Sequence, residues 1–285
     1  MSEIVRIRGS SWGTLFDCAY KWEGTYILGM TKPSSGRAHL GTSIHRSTAE
    51  IDIRRMEGHP MTFEEANDVF IDAMDNPEHD VDWKHDNLAI QDAKYIGTCL
   101  NDHYLKDWSP RFNFLAIEKE INDLDIETDE GVTIRLTGKM DRSRIITNLQ
   151  SECLERGLDS AKMKISSRKG ILDIKTGKAA VQKGVAKTKG HAAQLAVYEL
   201  LEEEQSGEPC TAPAEILGMQ TSTKPKIALG SIENPKRLML GDDQNEGMIS
   251  MAAKMLKSGL FTPNPTSMLC DERYCARYES CIYHG

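Results

Sequence analysis

The order of apolar and polar positions predicts helices in the first third of the chain. Between residues 10 and 30, apolar side chains recur at helical spacing, at Trp12, Leu15, Phe16 and Ala19. The segment GTSIHRSTAEIDIRRMEG (41–58) predicts a helix with Thr42 or Ser43 as its N-cap and Gly58 just after its end. Two further helices are expected at about 62–75 and 86–108.

The pattern then changes to alternation, which predicts strands. Three such segments are FNFLAIEKEI (112–121), GVTIRLTGKMDRSRIIT (131–147) and GILDIKTGK (170–178), the second with a turn or kink near Gly138. A helix (191–204), a strand (214–221) and a last helix (246–257) follow. This order predicts an α/β core in which helices flank a sheet.

Composition indicates an ordinary globular chain, since 39% of the 285 residues are hydrophobic and 27% are charged. A run of about 18 apolar residues and a signal-peptide core are both missing, so we expect no membrane association and a cytoplasmic location. Seven cysteines, an odd number, favour free thiols or metal ligands over a disulfide framework.

The net charge of -8 hides an uneven distribution of charges. Residues 62–82 carry eight acids and neither Lys nor Arg, which is typical of a solvated helix face and loop. Residues 162–189 carry nine basic side chains around one acid, Asp173, which indicates a surface for a polyanion. We therefore predict contacts with a polyanion, such as DNA, from the lysines that follow the strand, namely Lys178, Lys183, Lys187 and Lys189. A flexible solvated loop at 182–190 is the alternative.

The strand at 170–178 ends in a charged pair. Because side chains alternate between the two faces, Asp173 and Lys175 lie on one side and Leu172 and Ile174 on the other. A threonine and a glycine then end the strand, so we expect the pair at its carboxyl end. An isolated D-x-K pattern equally fits a half-exposed edge strand with an incidental salt bridge.

A second acid, Asp141, follows a strand segment of the same predicted sheet. Two carboxylates from adjacent strands can chelate a divalent cation, and Lys175 beside them could orient a water molecule or neutralise phosphate charge. His45 could add an imidazole ligand. The alternatives are a turn residue for Asp141 and a structural role for His45.

Gln194 and Tyr198 are four residues apart and therefore share one face of the helix predicted at 191–204. Tyr198 would fit the core equally well, whereas Gln194 beside it does not suit a wholly apolar face.

Four motifs now stand in order along the chain. They are G-x-x-x-H at Gly41 and His45, G-x-x-D at Gly138 and Asp141, D-x-K at Asp173 and Lys175, and Q-x-x-x-Y at Gln194 and Tyr198. Together they resemble the RecB-like branch of the PD-(D/E)XK nuclease superfamily. The resemblance implies a restriction-endonuclease-like core, a mixed sheet flanked by helices, with added N-terminal helices and a C-terminal cysteine-rich tail.

The resemblance also implies roles for the motif residues. His45, Asp141, Asp173 and the carbonyl of Ile174 would bind Mg²⁺ or Mn²⁺, Lys175 would assist the attacking water, and Gln194 and Tyr198 would line the DNA path. Two departures stand out: Met140 replaces the proline of the superfamily's name, and 31 residues separate Asp141 from Asp173, which predicts an insertion at about 149–169. Glu118 or Glu120 could touch the site, although a solvated strand face is the simpler interpretation.

The cysteines carry a second resemblance. The tail CDERYCARYESC contains Cys270, Cys275 and Cys281, and Cys18 lies far upstream. In similar iron–sulfur members, such as the AddB subunit and the CRISPR-adaptation nucleases, one N-terminal and three C-terminal cysteines hold a 4Fe–4S cluster. The first tail gap is four residues rather than two. A zinc site or free thiols are the alternatives.

The sequence therefore predicts a DNA exonuclease of three parts. Residues 1–110 form a helical part with Cys18 and His45, residues 111–260 the nuclease core, and residues 261–285 the iron–sulfur tail. Alternatives are a non-catalytic DNA-binding adaptor, a CRISPR-interfering decoy and an RNA-acting nuclease. The resemblance leaves open a homo-oligomer, a recombination or helicase partner, and a phage or mobile-element origin.

Overall fold

The first third of the protein is mainly helical. The computed structural model describes residues 3–149 and 165–284. Its first elements are β1 (Glu3–Arg8), α1 (Trp12–Asp17), α2 (Ala19–Tyr26), β2 (Ser34–Ser35), α3 (Gly36–Met56), α4 (Phe63–Asp75), β3 (Val81–Asp82) and α5 (Ile90–His103). A 3-10 turn precedes α1 (Gly9–Ser11), and a π-helical turn (Tyr104–Trp108) and a 3-10 turn (Ser109–Arg111) follow α5.

Helix α3 begins earlier than the sequence predicts. Ser35 is the N-cap, because its hydroxyl accepts a hydrogen bond from the Ala38 N–H at 3.2 Å, so the predicted caps Thr42 and Ser43 lie inside the helix. His45 is consequently in the third turn of α3. The helical structure expected at 10–30 is confirmed from Trp12 to Tyr26, where it is divided into α1 and α2 because the chain is extended at Cys18 (φ -145°, ψ 93°).

The described residues from 113 onward supply the other strands of the sheet and three more helices. These elements are β4 (Asn113–Glu127), β5 (Val132–Leu149), β6 (Ile165–Gly177), β7 (Val181–Gln182), β8 (Val185–Ala186), α6 (Ala192–Ser206), β9 (Ala214–Gln220), β10 (Lys226–Ile232), α7 (Lys236–Leu240), β11 (Gly241–Asp242), β12 (Asn245–Glu246), α8 (Met248–Ser258) and a 3-10 turn (Tyr278–Ser280). Strand β5 passes through Gly138 without a turn, but the β4–β5 register shifts beside it, between the pairs Ile121↔Gly138 and Leu124↔Leu136.

Strand β5 organises the sheet because it pairs with three neighbours. Strand β4 is antiparallel along one edge of β5. Two strands share the other edge, with β1 parallel to residues 132–137 and β6 antiparallel to residues 142–149. Strand β9 then pairs with β6 in parallel, and β10 pairs with β9 in antiparallel. The expected mixed sheet is confirmed.

Helices cover both faces of this sheet. On one face, Leu195 of α6 and Ala252 of α8 pack against sheet residues such as Ile216. On the other face, Ile44 of α3 and Phe70 of α4 belong to a second apolar cluster that includes strand residues of β6 and β9. The predicted arrangement of a sheet between helical layers is confirmed.

The long spacing between Asp141 and Asp173 is partly explained by a hairpin. Eight register pairs, from Arg142↔Leu172 to Leu149↔Ile165, join β5 to β6. Residues 165–169, which were expected in an insertion, therefore continue strand β6, and residues 150–164 lie outside the described part of the chain. Within the described ranges, no helix is both long and apolar enough to cross a membrane.

Candidate active site

The two motif acids meet where β5 and β6 separate. The β5–β6 register ends at Arg142↔Leu172, and the β1–β5 register ends at Arg8↔Thr137. Residues 138–141 of β5 therefore face a gap between the ends of β1 and β6. Asp141 lies in this gap. Asp173 is the first residue of β6 after its pairing with β5 has ended, and at this point β6 pairs only with β9.

Short contacts join four motif residues around this gap. The Ile174 N–H donates a hydrogen bond to Asp141 Oδ2 at 2.8 Å, and His45 Nδ1 lies 3.4 Å from the same oxygen. Lys175 Nζ lies 2.6 Å from Asp173 Oδ2. The structure thus brings together His45, Asp141, Asp173 and Lys175, which we call the sheet-borne site.

Gln194 and Tyr198 of α6 border the same group. Gln194 Nε2 donates to Asp173 Oδ1 at 3.3 Å and to the Tyr198 hydroxyl at 2.9 Å. The Tyr198 ring is only 5% exposed, and a Cβ at Gly138 would lie 2.7 Å from it. Gly138 therefore makes room for a buried tyrosine that supports Gln194. A DNA-lining role for Tyr198 stays a prediction that its burial does not favour.

Gly41 explains how α3 comes close enough to deliver His45. A Cβ at Gly41 would lie 2.5 Å from Thr176 Oγ1 of β6, closer than real side chains allow. The helix can approach the end of β6 only because this side chain is missing. An open cavity of about 360 Å³ lies here, lined by Ala38, Gly41, Thr42, His45 and Thr176.

The charges of the sheet-borne site suit a bound cation. Asp173 is fully buried, and burial followed by the nearby charge of Asp141 raises its pKa to about 7. Burial, reinforced by the charge of Asp173, also raises the pKa of Tyr198. A divalent cation would favour the ionised carboxylates, and an imidazole with carboxylate oxygens is a donor set that fits Mg²⁺ or Mn²⁺.

A further acid belongs to this group. Ligand atoms of His45, Glu118 and Asp141 all lie within 4.8 Å of one another. Of the two alternatives left open for Glu118, contact with the site is therefore the one observed. Glu120 is exposed on the same strand.

Comparisons with known proteins agree with this geometry. The family model of the PD-(D/E)XK nuclease superfamily matches residues 10–151. These findings place the chain in the PD-(D/E)XK nuclease superfamily. The match includes His45, Glu118 and Asp141, whereas Asp173, Lys175 and Gln194 lie beyond it.

A solved structure shows the same fold as this PD-(D/E)XK protein. It is the crystal structure of a protein from Eubacterium rectale described as a "putative exonuclease", with a TM-score of 0.51 at 15% identity. The alignment covers 94% of this chain and 87% of that chain. At this identity the likeness concerns the fold alone. A search of curated proteins finds no match.

The predicted DNA-binding lysines of this PD-(D/E)XK protein lie beyond β6. Lys178, Lys183, Lys187 and Lys189 are all exposed. Burial, followed by the charges of Lys175 and Lys187, lowers the pKa of His191 to about 4, so His191 is close enough to feel one lysine of the sheet-borne site and one of this segment. The segment is not a structureless loop, because β7 and β8 form a hairpin there.

Not every base of the basic stretch belongs to this surface. Lys169 is buried, and its ammonium lies 2.8 Å from Glu202 of α6. Its role is therefore structural. Lys162 and Lys164 lie outside the described residues.

The four cysteines predicted to act together do come together. Cys18, Cys270, Cys275 and Cys281 line one small cavity of about 20 Å³ between α1–α2 and the end of the chain. Burial, followed by the charges of the other three thiols, raises the pKa of Cys270. Cys99 and Cys210 do not line this cavity, and Cys153 lies outside the described residues.

Proposed function

We propose that the protein is a metal-dependent DNA exonuclease of the RecB-like branch, acting on strand ends or single strands. The observation that carries the proposal is the convergence of His45, Asp141, Asp173 and Lys175 at the gap between β5 and β6. These four residues come from three different sequence motifs. A purely structural salt bridge between Asp173 and Lys175 would not require an imidazole and a second carboxylate beside it.

His45, Asp141, Asp173 and the Ile174 carbonyl would hold the metal ion, with Mn²⁺ or Mg²⁺ as the cofactor. The bound ion would neutralise phosphate charge and lower the pKa of a water molecule. Lys175, 25% exposed at the side chain, can donate a hydrogen bond to the attacking water or to a phosphate oxygen. Gln194 fixes the orientation of Asp173 through its amide N–H.

The lysines of the 178–189 segment would bind the DNA backbone. Their exposure and their position next to Lys175 suit contacts with phosphates, which carry no sequence information. We therefore expect the protein to recognise its substrate by the charge of the backbone and by an accessible strand end, rather than by base sequence.

For the cysteine tail, residues 261–284, we propose a 4Fe–4S cluster bound by Cys18, Cys270, Cys275 and Cys281. The support is the single cavity that the four thiols share and the soft sulfur donor set. Zinc would use the same thiols, so metal analysis has to separate the two.

A substrate panel tests the function. Labelled linear double-stranded, circular and single-stranded DNA, and RNA, are incubated with Mn²⁺, Mg²⁺ or EDTA. We expect shortening of linear and single-stranded DNA in Mn²⁺, weaker activity in Mg²⁺ because imidazole favours the softer ion, and no activity in EDTA. Asp173→Ala should be inactive.

Each alternative gives a different result in this panel. Binding of DNA without any cleavage would contradict the nuclease and favour the adaptor or decoy. Cleavage of RNA alone would change the substrate, and cleavage of circles would change exonuclease to endonuclease. Activity clearly higher in Mg²⁺ than in Mn²⁺ would contradict His45 as a ligand.

A further inference from the structure

The chain between β6 and α6 folds into a small hairpin, formed by β7 and β8, close to the sheet-borne site. The Ala180 N–H, just before the hairpin, donates a hydrogen bond to the carbonyl of Gly177, the last residue of β6, at 3.2 Å. Val181, the first residue of β7, follows Lys175 by six residues, which span at most about 20 Å. The hairpin therefore starts within about 20 Å of the proposed reacting centre.

The inner face of the hairpin is packed on the sheet. Val181 and Ala186 form one of its pairs, and they are only 8% and 4% exposed. A Cβ at Gly218 of β9 would lie 2.4 Å from the Ala180 carbonyl oxygen, and a Cβ at Gly230 of β10 would lie 2.8 Å from that of Ala186. Two sheet strands thus lack side chains where the hairpin rests, so its backbone has a fixed position on the sheet.

The outer face of the hairpin presents an apolar side chain between polar ones. Gln182 and Val185 form the second pair, so their side chains lie on the face opposite to Val181 and Ala186. Val185 is 54% exposed, and the exposed Lys187, two residues later, lies on the same face. A single exposed valine is ordinary, but this one is rigidly held and lies next to basic side chains.

The turn of the hairpin adds a cation at its tip. Lys183 and Gly184 connect the strands with φ values of 51° and 82°, and positive φ at both central residues is the signature of a type I′ turn. Asn, Asp or Gly is preferred at the first position, because this backbone region is unfavourable for other residues. The lysine is present despite that cost, and such strained positions are typical of functional segments.

The sheet-borne site is recessed and bordered by two helices. Asp173 is fully buried, and the side chain of Lys175 is 25% exposed. His45 of α3 and Gln194 of α6 contact the two acids of the site. A single strand can enter such a recess, whereas a double helix would bring its second strand against the helices. We therefore expect the end of a double helix to open before a phosphate reaches Lys175.

We propose that the β7–β8 hairpin opens the end of a DNA double helix. Val185 packs against the first base pair and displaces it from the stack, as inserted apolar side chains do in other DNA complexes. Lys183 and Lys187 bind the backbone phosphates, and one freed strand continues to the sheet-borne site. Binding energy drives this limited opening without nucleotide hydrolysis. At 3.4 Å per nucleotide, a span of about 20 Å corresponds to about six opened base pairs.

The inference rests on the proposed function, because the freed strand is the substrate of the proposed nuclease site. It adds an activity on duplex ends that none of the four sequence motifs contains. Opening and cleavage can be measured separately, so each can fail without the other.

Opening is measured with the Asp173→Ala protein in EDTA, so that the DNA stays intact. The probe is a blunt DNA duplex with 2-aminopurine in its first base pair, since this base becomes brighter when it loses its stacking neighbours. The protein should raise the fluorescence at least about two-fold, and the same base at the centre of the duplex should not respond. Adding Val185→Ser should abolish the rise, whereas Val185→Leu should keep it.

Cleavage is then compared on a blunt duplex and on a duplex whose last six or so base pairs are mismatched. The ratio of the rate on the blunt duplex to the rate on the mismatched duplex should fall roughly 10-fold in Val185→Ser, because a mismatched end needs no opening. Ile4→Ser, which replaces an apolar side chain of similar exposure (50%) on β1, is the matched control and should leave the ratio unchanged. Thermal unfolding checks that each variant is folded.

The outcomes separate this inference from the proposed function. An unchanged ratio in Val185→Ser, or a fluorescence that does not rise with the Asp173→Ala protein, would overturn the role of the hairpin and leave the nuclease intact. Equal slowing of Val185→Ser on both duplexes would also overturn it. A fluorescence rise that depends on Val185, with a wild-type protein that cuts no DNA or RNA, would support the opening and overturn the nuclease. The fluorescence of the Asp173→Ala protein keeps the proposal testable even where Val185→Ser fails to fold.

Discussion

The sheet-borne site and the cysteine tail are held in place in opposite ways. Asp141 and Asp173 lie on long strands whose neighbours form the core, and His45 lies on the 21-residue helix α3. Among residues 261–284 the only regular element is a 3-10 turn (Tyr278–Ser280), and the contacts of this tail with α2 include the ion pair of Arg277 with Glu23 at 2.8 Å and the stacking of Phe261 on Trp22.

The difference separates two kinds of ligand. The strands and the helix that carry the proposed metal ligands of the sheet-borne site are held by the packed core, so we expect these residues to serve chemistry. The tail has little regular structure of its own, so we expect its cysteines, as proposed metal ligands, to serve structure. Loss of a sheet ligand should therefore remove activity and leave the fold, and loss of a tail ligand should loosen the tail.

The largest expected effect is on activity at the sheet. Lys175→Ala should lower cleavage at least about 10³-fold, because the ammonium beside Asp173 is lost from the reacting centre. The melting temperature should change little. Lys257→Ala, an exposed lysine of α8, is the control and should retain cleavage. Cleavage by Lys175→Ala at the wild-type rate would remove the D-x-K motif from the mechanism.

The next effect concerns the tail. Cys18→Ala or Cys281→Ala should lose the brown colour, the iron and the sulfide of anaerobically purified protein, expose residues 261–284 to protease, and lower the melting temperature by roughly 5 °C or more. Cys99→Ser should do none of these, since Cys99 lies on α5 away from the cavity.

Metal analysis decides what the tail binds. Iron and sulfide in equal amounts would support the cluster, whereas one equivalent of zinc and no iron would contradict it and leave the structural role intact. A Cys18→Ala protein with unchanged metal content and stability would contradict both.

A smaller effect is expected from the basic surface beyond the sheet. Replacing Lys183, Lys187 and Lys189 with Ala should weaken binding to all DNA sequences and flatten the log–log salt dependence by about 0.7 for each lost single-strand phosphate contact. Lys254 and Lys257 of α8 provide a control pair. An unchanged slope would show that the 178–189 segment does not contact DNA.

The smallest expected effect on function, a change in stability alone, tests the helix that carries Gln194. Burial, together with the charge of Glu203 and against that of Lys236, raises the pKa of Glu199 to about 8 from 4.5. The folded protein then keeps a proton that the unfolded chain releases, so this residue makes stability fall as pH rises between about 4.5 and 8.

Glu199→Gln should remove this slope. The gain over wild type should grow from pH 5 to pH 8 and reach at most about 4 kcal/mol. Denaturant unfolding at several pH values measures it, with the exposed Glu204→Gln as control. Parallel pH profiles for wild type and Glu199→Gln would contradict the raised pKa.

Much of the sheet-borne site could be predicted because its signals are local. The alternation of side chains along a strand predicts that Asp173 and Lys175 lie on the same face. The spacing of an α-helix predicts the same for Gln194 and Tyr198. Strand β1 was missed although Val5 and Ile7 alternate with arginines. A strand of six residues gives a weak signal in the sequence. In addition, the residues with which β1 pairs begin only at Val132 of β5, far along the chain.

Other features depend on neighbours that are distant in sequence. Lys169 looked like part of a basic surface because its partner Glu202 lies on another element. The sequence does not decide whether Glu118 contacts the site or lies on a solvated strand face, because a glutamate in a strand gives no sign that its backbone is left-handed. The positions of both residues follow from tertiary contacts, which outweigh local pattern.

The parallel pairing of β1 with β5 has a consequence for biosynthesis. At about 5–20 residues per second, roughly 6 to 25 s pass between synthesis of β1 and of residue 132, its first partner in β5. During this time β1 is an unpaired apolar edge, and Arg6 and Arg8 would discourage contact with other chains. Asp173 and Lys175 emerge later still, so a nascent chain on the ribosome acquires the complete sheet-borne site only after β6 has been made, and the support of Gln194 only after α6.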